Sequence, residues 1–161
     1  MRVPAMAAAA AALLLAACGG SKSGSNDTTN AAAATPPAAT PPAAAPTGTG
    51  VTHEIDMVQE GTNSYKFKPD NITIKQGDVV VFKGVSGLQH DVSFYPDSIP
   101  PGAADVLNAA IPNKTQPLST EMISDGSQVS ISFAGAPLGV YKFFCIPHQP
   151  MGMHGQLTVT Q

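Results

Sequence analysis

The strongest constraint on how this chain folds is an alternation of apolar and polar residues that begins at Val51. Ile55 and Met57 alternate with Glu54 and Asp56, and similar runs lie at 72–74, 79–82, 92–94, 129–133, 141–145 and 157–159. A period of two predicts half-buried strands, and the Gly, Pro, Asn and Asp clusters between the runs predict turns. We therefore predict that residues 51–161 form an all-β, antiparallel Greek-key β-sandwich of roughly seven to eight strands, with one short helical segment at 103–110.

The N-terminus is typical of a secretory signal. Arg2 precedes an apolar stretch at 5–17, which is shorter than the roughly 20 residues that span a bilayer. The sequence Leu-Ala-Ala-Cys18-Gly that ends this stretch resembles the lipobox of bacterial lipoproteins. The resemblance implies removal of a signal peptide at 1–17 and acylation of Cys18, which would anchor the protein firmly. The alternative is a secreted protein with a chance cysteine at the cleavage site.

Residues 18–50 are rich in Ser, Asn, Thr, Ala, Pro and Gly, and the part at 31–46 has no bulky apolar side chain. Such a segment cannot bury enough surface to offset its ordering entropy. We expect a disordered, extended tether with a reach of about 100 Å, at roughly 3 Å per residue. Together with the signal, it predicts a lipid-anchored protein of the bacterial cell envelope, periplasmic or at the cell surface.

Charge and cysteine content exclude several other classes. The eight Lys and Arg residues are scattered and the net charge is -3, which excludes a nucleic-acid-binding surface. The two cysteines, Cys18 and Cys145, lie in segments of different character, so a disulfide between them is not expected. We expect a monomer.

The segment from Tyr141 to Gly155 contains a metal-binding pattern. Cys145, His148 and Met153 follow the spacing C-x2-H-x4-M. Soft sulfur donors combined with imidazole favour copper, and two histidines, one cysteine and a weak axial methionine form the blue-copper arrangement. His90, immediately before the apolar pair Val92 and Phe94, is the candidate for the second histidine.

The order of these motifs identifies a family resemblance. Phe67-Lys-Pro-Asp-Asn-Ile-Thr-Ile, then Gly77-Asp-Val-Val-Val-Phe, His90-Asp-Val-Ser-Phe and the Cys145 loop follow one another as in the cupredoxins. Over residues 65–161 the chain is most similar to plastocyanin, with pseudoazurin a near relative. The resemblance implies one copper ion held by four ligands: His90, Cys145, His148 and Met153.

Three departures from the family pattern bear on function. Asp91 replaces the asparagine that usually follows the first ligand, and its charge near the copper thiolate is expected to lower the reduction potential. Phe144 replaces the tyrosine that often precedes the cysteine, and the acidic clusters of plant-type plastocyanins are missing from the sequence. A photosynthetic partner is therefore not predicted.

Residues beside the ligands have alternative interpretations. Met151 competes with Met153 for the axial position, and His154 is expected to point away from the metal. We predict an apolar docking collar around an exposed edge of His148, formed by Leu88, Pro147, Pro150 and Met151. The alternative is that the collar is ordinary loop packing.

These features predict a one-electron carrier that works by outer-sphere transfer between transient redox partners. An enzyme would need an open coordination position or a second metal ion, and the neighbours of Cys145 are Phe144 and Ile146 rather than histidine. The alternative function is copper storage, sensing or delivery without electron transfer.

Overall fold

The computed structural model describes residues 50–161. The predicted signal peptide at 1–17 and residues 18–49 of the predicted tether, including Cys18, lie outside the described residues. Among the described helices, none is long and apolar enough to cross a membrane.

The described residues form ten strands and one α-helix. In chain order they are β1 (Thr52–Gly61), β2 (Ser64–Lys68), β3 (Asn71–Lys75), β4 (Val79–Gly84), β5 (Gln89–His90), β6 (Ser93–Phe94), α1 (Ala103–Ala110), β7 (Ile123–Ser124), β8 (Gln128–Ser132), β9 (Gly139–Phe144) and β10 (His154–Thr160). The short helix lies where the sequence predicted it. β2, β5 and β7 were not predicted. β5 and β7 have two residues each, too few to display a period of two, whereas the short alternation of Tyr65, Lys66 and Phe67 in β2 was overlooked.

The strands form two four-stranded sheets, with the orders β2-β1-β4-β8 and β3-β10-β9-β6, and a two-stranded ribbon of β5 and β7. The prediction of an all-β sandwich is confirmed, and the two larger sheets hold eight strands. The prediction of a purely antiparallel sandwich is wrong, because β1 pairs with β4 and β3 pairs with β10 in parallel. The alternation of side chains is the same in both kinds of pairing, so the sequence does not distinguish them.

The core lies between the two sheets and is centred on aromatic side chains. Phe143 of β9 packs edge-on against Phe67, Phe82 and Phe94, with ring centroids 4.9, 5.5 and 5.9 Å away. Edge-to-face packing is a favourable arrangement for aromatic rings. Tyr141 and Cys145 lie on the same face of this strand as Phe143 and are also fully buried, as predicted. Cys145, the residue that follows β9, is therefore held at the end of a strand that is paired on both sides.

Candidate metal centre

His90 is held by the two-stranded ribbon of β5 and β7. It ends β5, where it pairs with Ile123 of β7, and its side chain is fully buried. The ring nitrogen Nε2 lies 2.9 Å from the carbonyl oxygen of Ser86, to which it donates a hydrogen bond. Such a bond fixes the tautomer and the plane of a histidine that binds metal through its other nitrogen. Nδ1 is thereby left as the donor atom.

The loop after β9 folds back on itself through main-chain hydrogen bonds. The N–H of His148 donates to the carbonyl of Cys145 and the N–H of Met153 donates to the carbonyl of His148, both at 3.2 Å. The N–H of Cys145 in turn donates to the carbonyl of Met153 at 3.2 Å. Gly152 makes the reversal with a φ of 82°, in the region that favours glycine. The loop therefore brings residues 145, 148 and 153 to one place.

Three donor atoms from these segments converge. The distance from Cys145 Sγ to His148 Nδ1 is 3.3 Å, from Cys145 Sγ to His90 Nδ1 3.8 Å, and between the two Nδ1 atoms 3.2 Å. Donors that surround one ion in a plane, with bonds of about 2.0 to 2.3 Å, lie roughly 3.4 to 3.8 Å apart. All three residues are buried, and the donor set of two imidazoles and a thiolate suits copper. The arrangement fits one metal ion.

The two methionines of the loop differ in their surroundings. Met153 is fully buried, and its main chain contacts that of Cys145 through the hydrogen bond described above. Met151 is only half-buried and lies in a short 3-10 turn at Gln149–Met151. The burial of Met153 in the segment that closes the loop favours it over Met151 as a fourth residue that would hold the ion.

Asp91 connects the segment that carries His90 to the loop that follows β9. Its carboxylate accepts a hydrogen bond from the N–H of Ile146 at 2.6 Å and another from the hydroxyl of Ser93 at 2.7 Å. Its own N–H points at Cys145 Sγ, 3.5 Å away. With only 1% of its surface exposed, this carboxylate is a structural part of the centre.

Burial shifts the pKa of two donors, Cys145 and His148. Desolvation raises the pKa of the Cys145 thiol to about 12. Desolvation also lowers the pKa of His148, and the charge of the neighbouring His90 lowers it further. Both effects favour neutral groups when no metal is bound. A metal that binds as a thiolate complex must therefore displace the thiol proton.

Tyr65 of β2 is a neighbour of the site that sequence reasoning missed. Its ring lies parallel to the ring of His148, with centroids 3.7 Å apart and an interplanar angle of 6°. It also meets the ring of His90 edge-on at 6.2 Å. The alternation of Tyr65 with the buried Phe67 could have indicated an inward-facing side chain, but nothing in the sequence pairs it with residue 148.

A surface depression of about 570 Å³ opens beside His148. Eight residues line it: Tyr65, Gly87, Leu88, Gln89, Met122, Ser124, Pro147 and His148. Of the predicted collar, Leu88 and Pro147 line this depression, whereas Pro150 and Met151 do not. Leu88 is 80% exposed and has a φ of 74°, a conformation that is unfavourable for a leucine.

Two other residues that the sequence analysis singled out, Phe144 and His154, lie next to Tyr95. Phe144 is half-buried beneath Tyr95, with ring centroids 4.3 Å apart. His154 is exposed, and its Nδ1 lies 3.4 Å from the hydroxyl of Tyr95 rather than among the three donors.

Comparisons with known proteins agree with this geometry. The family model described as copper binding proteins, plastocyanin/azurin family, matches residues 53–160. Plastocyanin of Vicia faba is 36% identical over 93 residues, which cover 58% of this chain and 86% of that protein. The chloroplastic plastocyanin major isoform of Arabidopsis thaliana is 33% identical over 99 residues, covering 62% of this chain and 54% of that protein.

Solved structures show the same fold. The oxidised form of plastocyanin from Dryopteris crassirhizoma superposes with a TM-score of 0.54 at 29% identity, over 67% of this chain and all of that one. Pseudoazurin from Methylobacterium extorquens AM1 superposes with a TM-score of 0.51 at 24% identity, over 68% of this chain and 76% of that one. The resemblance to cupredoxins predicted from the sequence is confirmed, and with it copper as the cofactor.

Proposed function

We propose that this chain, which belongs to the plastocyanin/azurin family of copper-binding proteins, carries single electrons by outer-sphere transfer between redox partners of the cell envelope. The observation that carries this proposal is the convergence of His90 Nδ1, Cys145 Sγ and His148 Nδ1 within 4.8 Å of one another. We propose Met153 as the fourth residue that would hold the ion. Copper bound to this set supplies reversible one-electron chemistry between Cu(II) and Cu(I).

The protein contributes a rigid ligand frame. His90 is fixed by its bond to Ser86, Cys145 by the end of β9, and His148 and Met153 by the closed loop. Because these contacts are independent of the ion's charge, the ligands have little freedom to rearrange when an electron arrives or leaves. A small rearrangement keeps the barrier to electron transfer low.

Electrons are proposed to pass through the edge of His148, which faces the depression lined by Leu88, Met122 and Pro147. Leu88 and Met122 are 80% and 44% exposed. An apolar rim with little charge suits a brief, weak encounter, and redox complexes of this kind typically bury less than about 1,200 Å². The proposed partners are redox proteins that present a similar apolar face.

We propose a carrier rather than an enzyme. Catalysis at a metal requires an open position or a second ion. The side chains that flank Cys145 in sequence, Phe144 and Ile146, offer no ligand to a second ion. The donors of the proposed site are buried, with no more than 7% of either histidine exposed.

The location of the protein is proposed from the sequence motifs. The signal at 1–17 and the lipobox-like cysteine support acylation at Cys18, and the composition of 18–50 supports a tether to a single copper domain at 51–161. We propose a monomer held at a membrane of the bacterial cell envelope, outside the cytoplasm.

Copper titration tests the function. Addition of Cu(II) to the metal-free protein is expected to give an intense blue colour at one ion per chain, together with reversible one-electron voltammetry. Cys145→Ser should abolish the colour. A colourless site that takes Cu(I) and exchanges it rapidly with a chelator would instead support copper storage, sensing or delivery.

A further inference from the structure

The two histidines of the centre are oriented by different means. His90 donates from Nε2 to the carbonyl of Ser86. For the ring of His148, the hydrogen-bond contacts with residues 50–161 all involve Nδ1, which faces Cys145 Sγ and His90 Nδ1. Metal-binding histidines almost always have an outer hydrogen bond that fixes the ring plane. The plane of the His148 ring must therefore be fixed by a different one of its described contacts.

Tyr65 stacks on His148, and this is the only parallel stacking of two rings among the described residues. Its ring covers the face of His148 at a centroid distance of 3.7 Å and an angle of 6°. Rotation of the imidazole about its Cβ–Cγ bond would drive the ring edge into the phenol ring. The contact therefore opposes rotation out of the plane in which Nδ1 faces Cys145.

The position of Tyr65 is itself well fixed. It pairs with Gln59 across the β1–β2 ladder, and two residues further on Phe67 is buried in the aromatic core. A ring on a paired strand next to a core anchor has little freedom to move with the loop. Tyr65 thus transmits the rigidity of the sheet to a ligand that belongs to a loop.

We propose that Tyr65 is a positioning residue for the copper ligand His148, holding the imidazole plane by stacking where His90 uses a hydrogen bond. The inference rests on the proposed function. It also explains how His148 can be oriented without a protein acceptor on its outer nitrogen, which leaves that edge available to a partner at the depression. The phenol hydroxyl is not required, because the ring face provides the contact.

Proton NMR of the full chain tests the stacking directly. In the diamagnetic Cu(I) protein, ring protons of His148 should be shifted upfield by the ring current of Tyr65. The shift should persist in Tyr65→Phe and be lost in Tyr65→Leu. The same comparison in the metal-free chain tests the contact without copper, and His53, whose ring forms no aromatic pair among the described residues, provides an unshifted reference in the wild-type chain.

The consequence for the metal is measured by spectroscopy and by copper release. In Tyr65→Leu we expect altered hyperfine splitting in the Cu(II) paramagnetic resonance spectrum, and copper loss to a chelator about threefold to tenfold faster. Tyr65→Phe should match the wild type, as should Lys66→Ala, a control on the same strand.

Two results would overturn the inference while leaving the proposed function intact. One is the absence of an upfield shift in the wild-type chain. The other is a Tyr65→Leu protein whose resonance spectrum and rate of copper loss equal those of the wild type. If the wild-type chain binds copper without a blue colour, the proposed function fails instead, and the metal-free NMR comparison still decides whether Tyr65 stacks on His148.

Discussion

The carboxylate of Asp91 accepts a hydrogen bond of 2.6 Å from the main-chain N–H of Ile146, a residue 55 positions later in the chain. This bond joins the segment that carries His90 to the loop that carries the other proposed ligands. Because Asp91 also accepts from Ser93, both of its oxygens act as acceptors. An ionised carboxylate satisfies that arrangement best.

The first prediction concerns the reduction potential. Asp91→Asn removes a buried negative charge beside Cys145, and this charge favours Cu(II) over Cu(I). Unit charges roughly 6 to 8 Å apart interact by about 2 to 3 kcal/mol at an effective dielectric constant of about 20. Since a factor of ten corresponds to about 1.4 kcal/mol and to 59 mV for one electron, we expect voltammetry to show a midpoint higher by about 90 to 130 mV. Asp97→Asn, at an exposed carboxylate, is the control, and an unchanged or lower midpoint for Asp91→Asn would contradict the prediction.

The second prediction concerns Asp78, which joins the start of the domain to the turn before β4. Its carboxylate accepts hydrogen bonds from the N–H groups of Lys75 and Val51 and from the ring of His53. These bonds, with that from Lys75 the largest influence, hold the pKa of Asp78 below its usual value. A lowered folded-state pKa means that the carboxylate stabilises the fold above its unfolded pKa of about 3.9, and that this contribution is lost as the pH falls through the folded value.

Asp78→Ala should therefore reduce the free energy of unfolding by about 2 to 4 kcal/mol at pH 7, and by clearly less below pH of about 3. Urea unfolding of the metal-free protein at both pH values measures the difference. His53→Ala removes one of the three donors and should cost less than Asp78→Ala at pH 7. A penalty for Asp78→Ala that is independent of pH would show that the charge of the carboxylate does not matter.

The third prediction concerns the packing of β10 on the aromatic core. A Cβ atom added at Gly155 would lie 2.5 Å from Cζ of Phe143. That ring is held by Phe67, Phe82 and Phe94 and cannot move aside freely. Gly155→Ala should thus lower the free energy of unfolding by about 1 to 3 kcal/mol. At Gly61 an added Cβ has no neighbour within 4 Å, so Gly61→Ala should stay within about 0.5 kcal/mol of the wild type; equal effects of the two changes would contradict the packing argument.

The sequence predicted those parts of the fold that one segment encodes by itself. The inward face of Tyr141, Phe143 and Cys145 follows from a period of two, and the short helix was placed correctly at Ala103–Ala110. The parallel pairing of β1 with β4 was not predictable, because direction is decided by how the connections cross the sandwich. Val51 begins the alternating run and yet is 64% exposed, since it precedes the first strand.

In the candidate site, too, the sequence predicted what one segment encodes and missed what depends on contacts between distant segments. Cys145, His148 and Met153 lie within nine residues, so their spacing is visible in the sequence, and His90 was inferred from its place before a strand. Tyr65 is 83 positions from His148, and the stacking of their rings depends on how β2 meets the ligand loop. Tertiary contacts of this kind have no local pattern that sequence reasoning could use.

The last prediction separates docking from ligation at Leu88. This side chain is 80% exposed, lines the depression at His148, and occupies a backbone conformation with a φ of 74° that costs a leucine of order 1 kcal/mol. Leu88→Gly removes the apolar contact and suits the backbone, so the midpoint potential should not change and stability should be equal or slightly higher.

The rate of electron self-exchange is expected to depend on Leu88, because a leucine contributes about 1.5 kcal/mol when it is buried. In Leu88→Gly this rate, measured by NMR line broadening in mixtures of oxidised and reduced protein, should fall about tenfold. Val140→Thr, at an exposed apolar residue on β9, should leave that rate unchanged. If both variants slowed self-exchange equally, or if neither did, electrons would not pass through the surface at Leu88, because only a contact at that surface makes the rate depend on this one side chain.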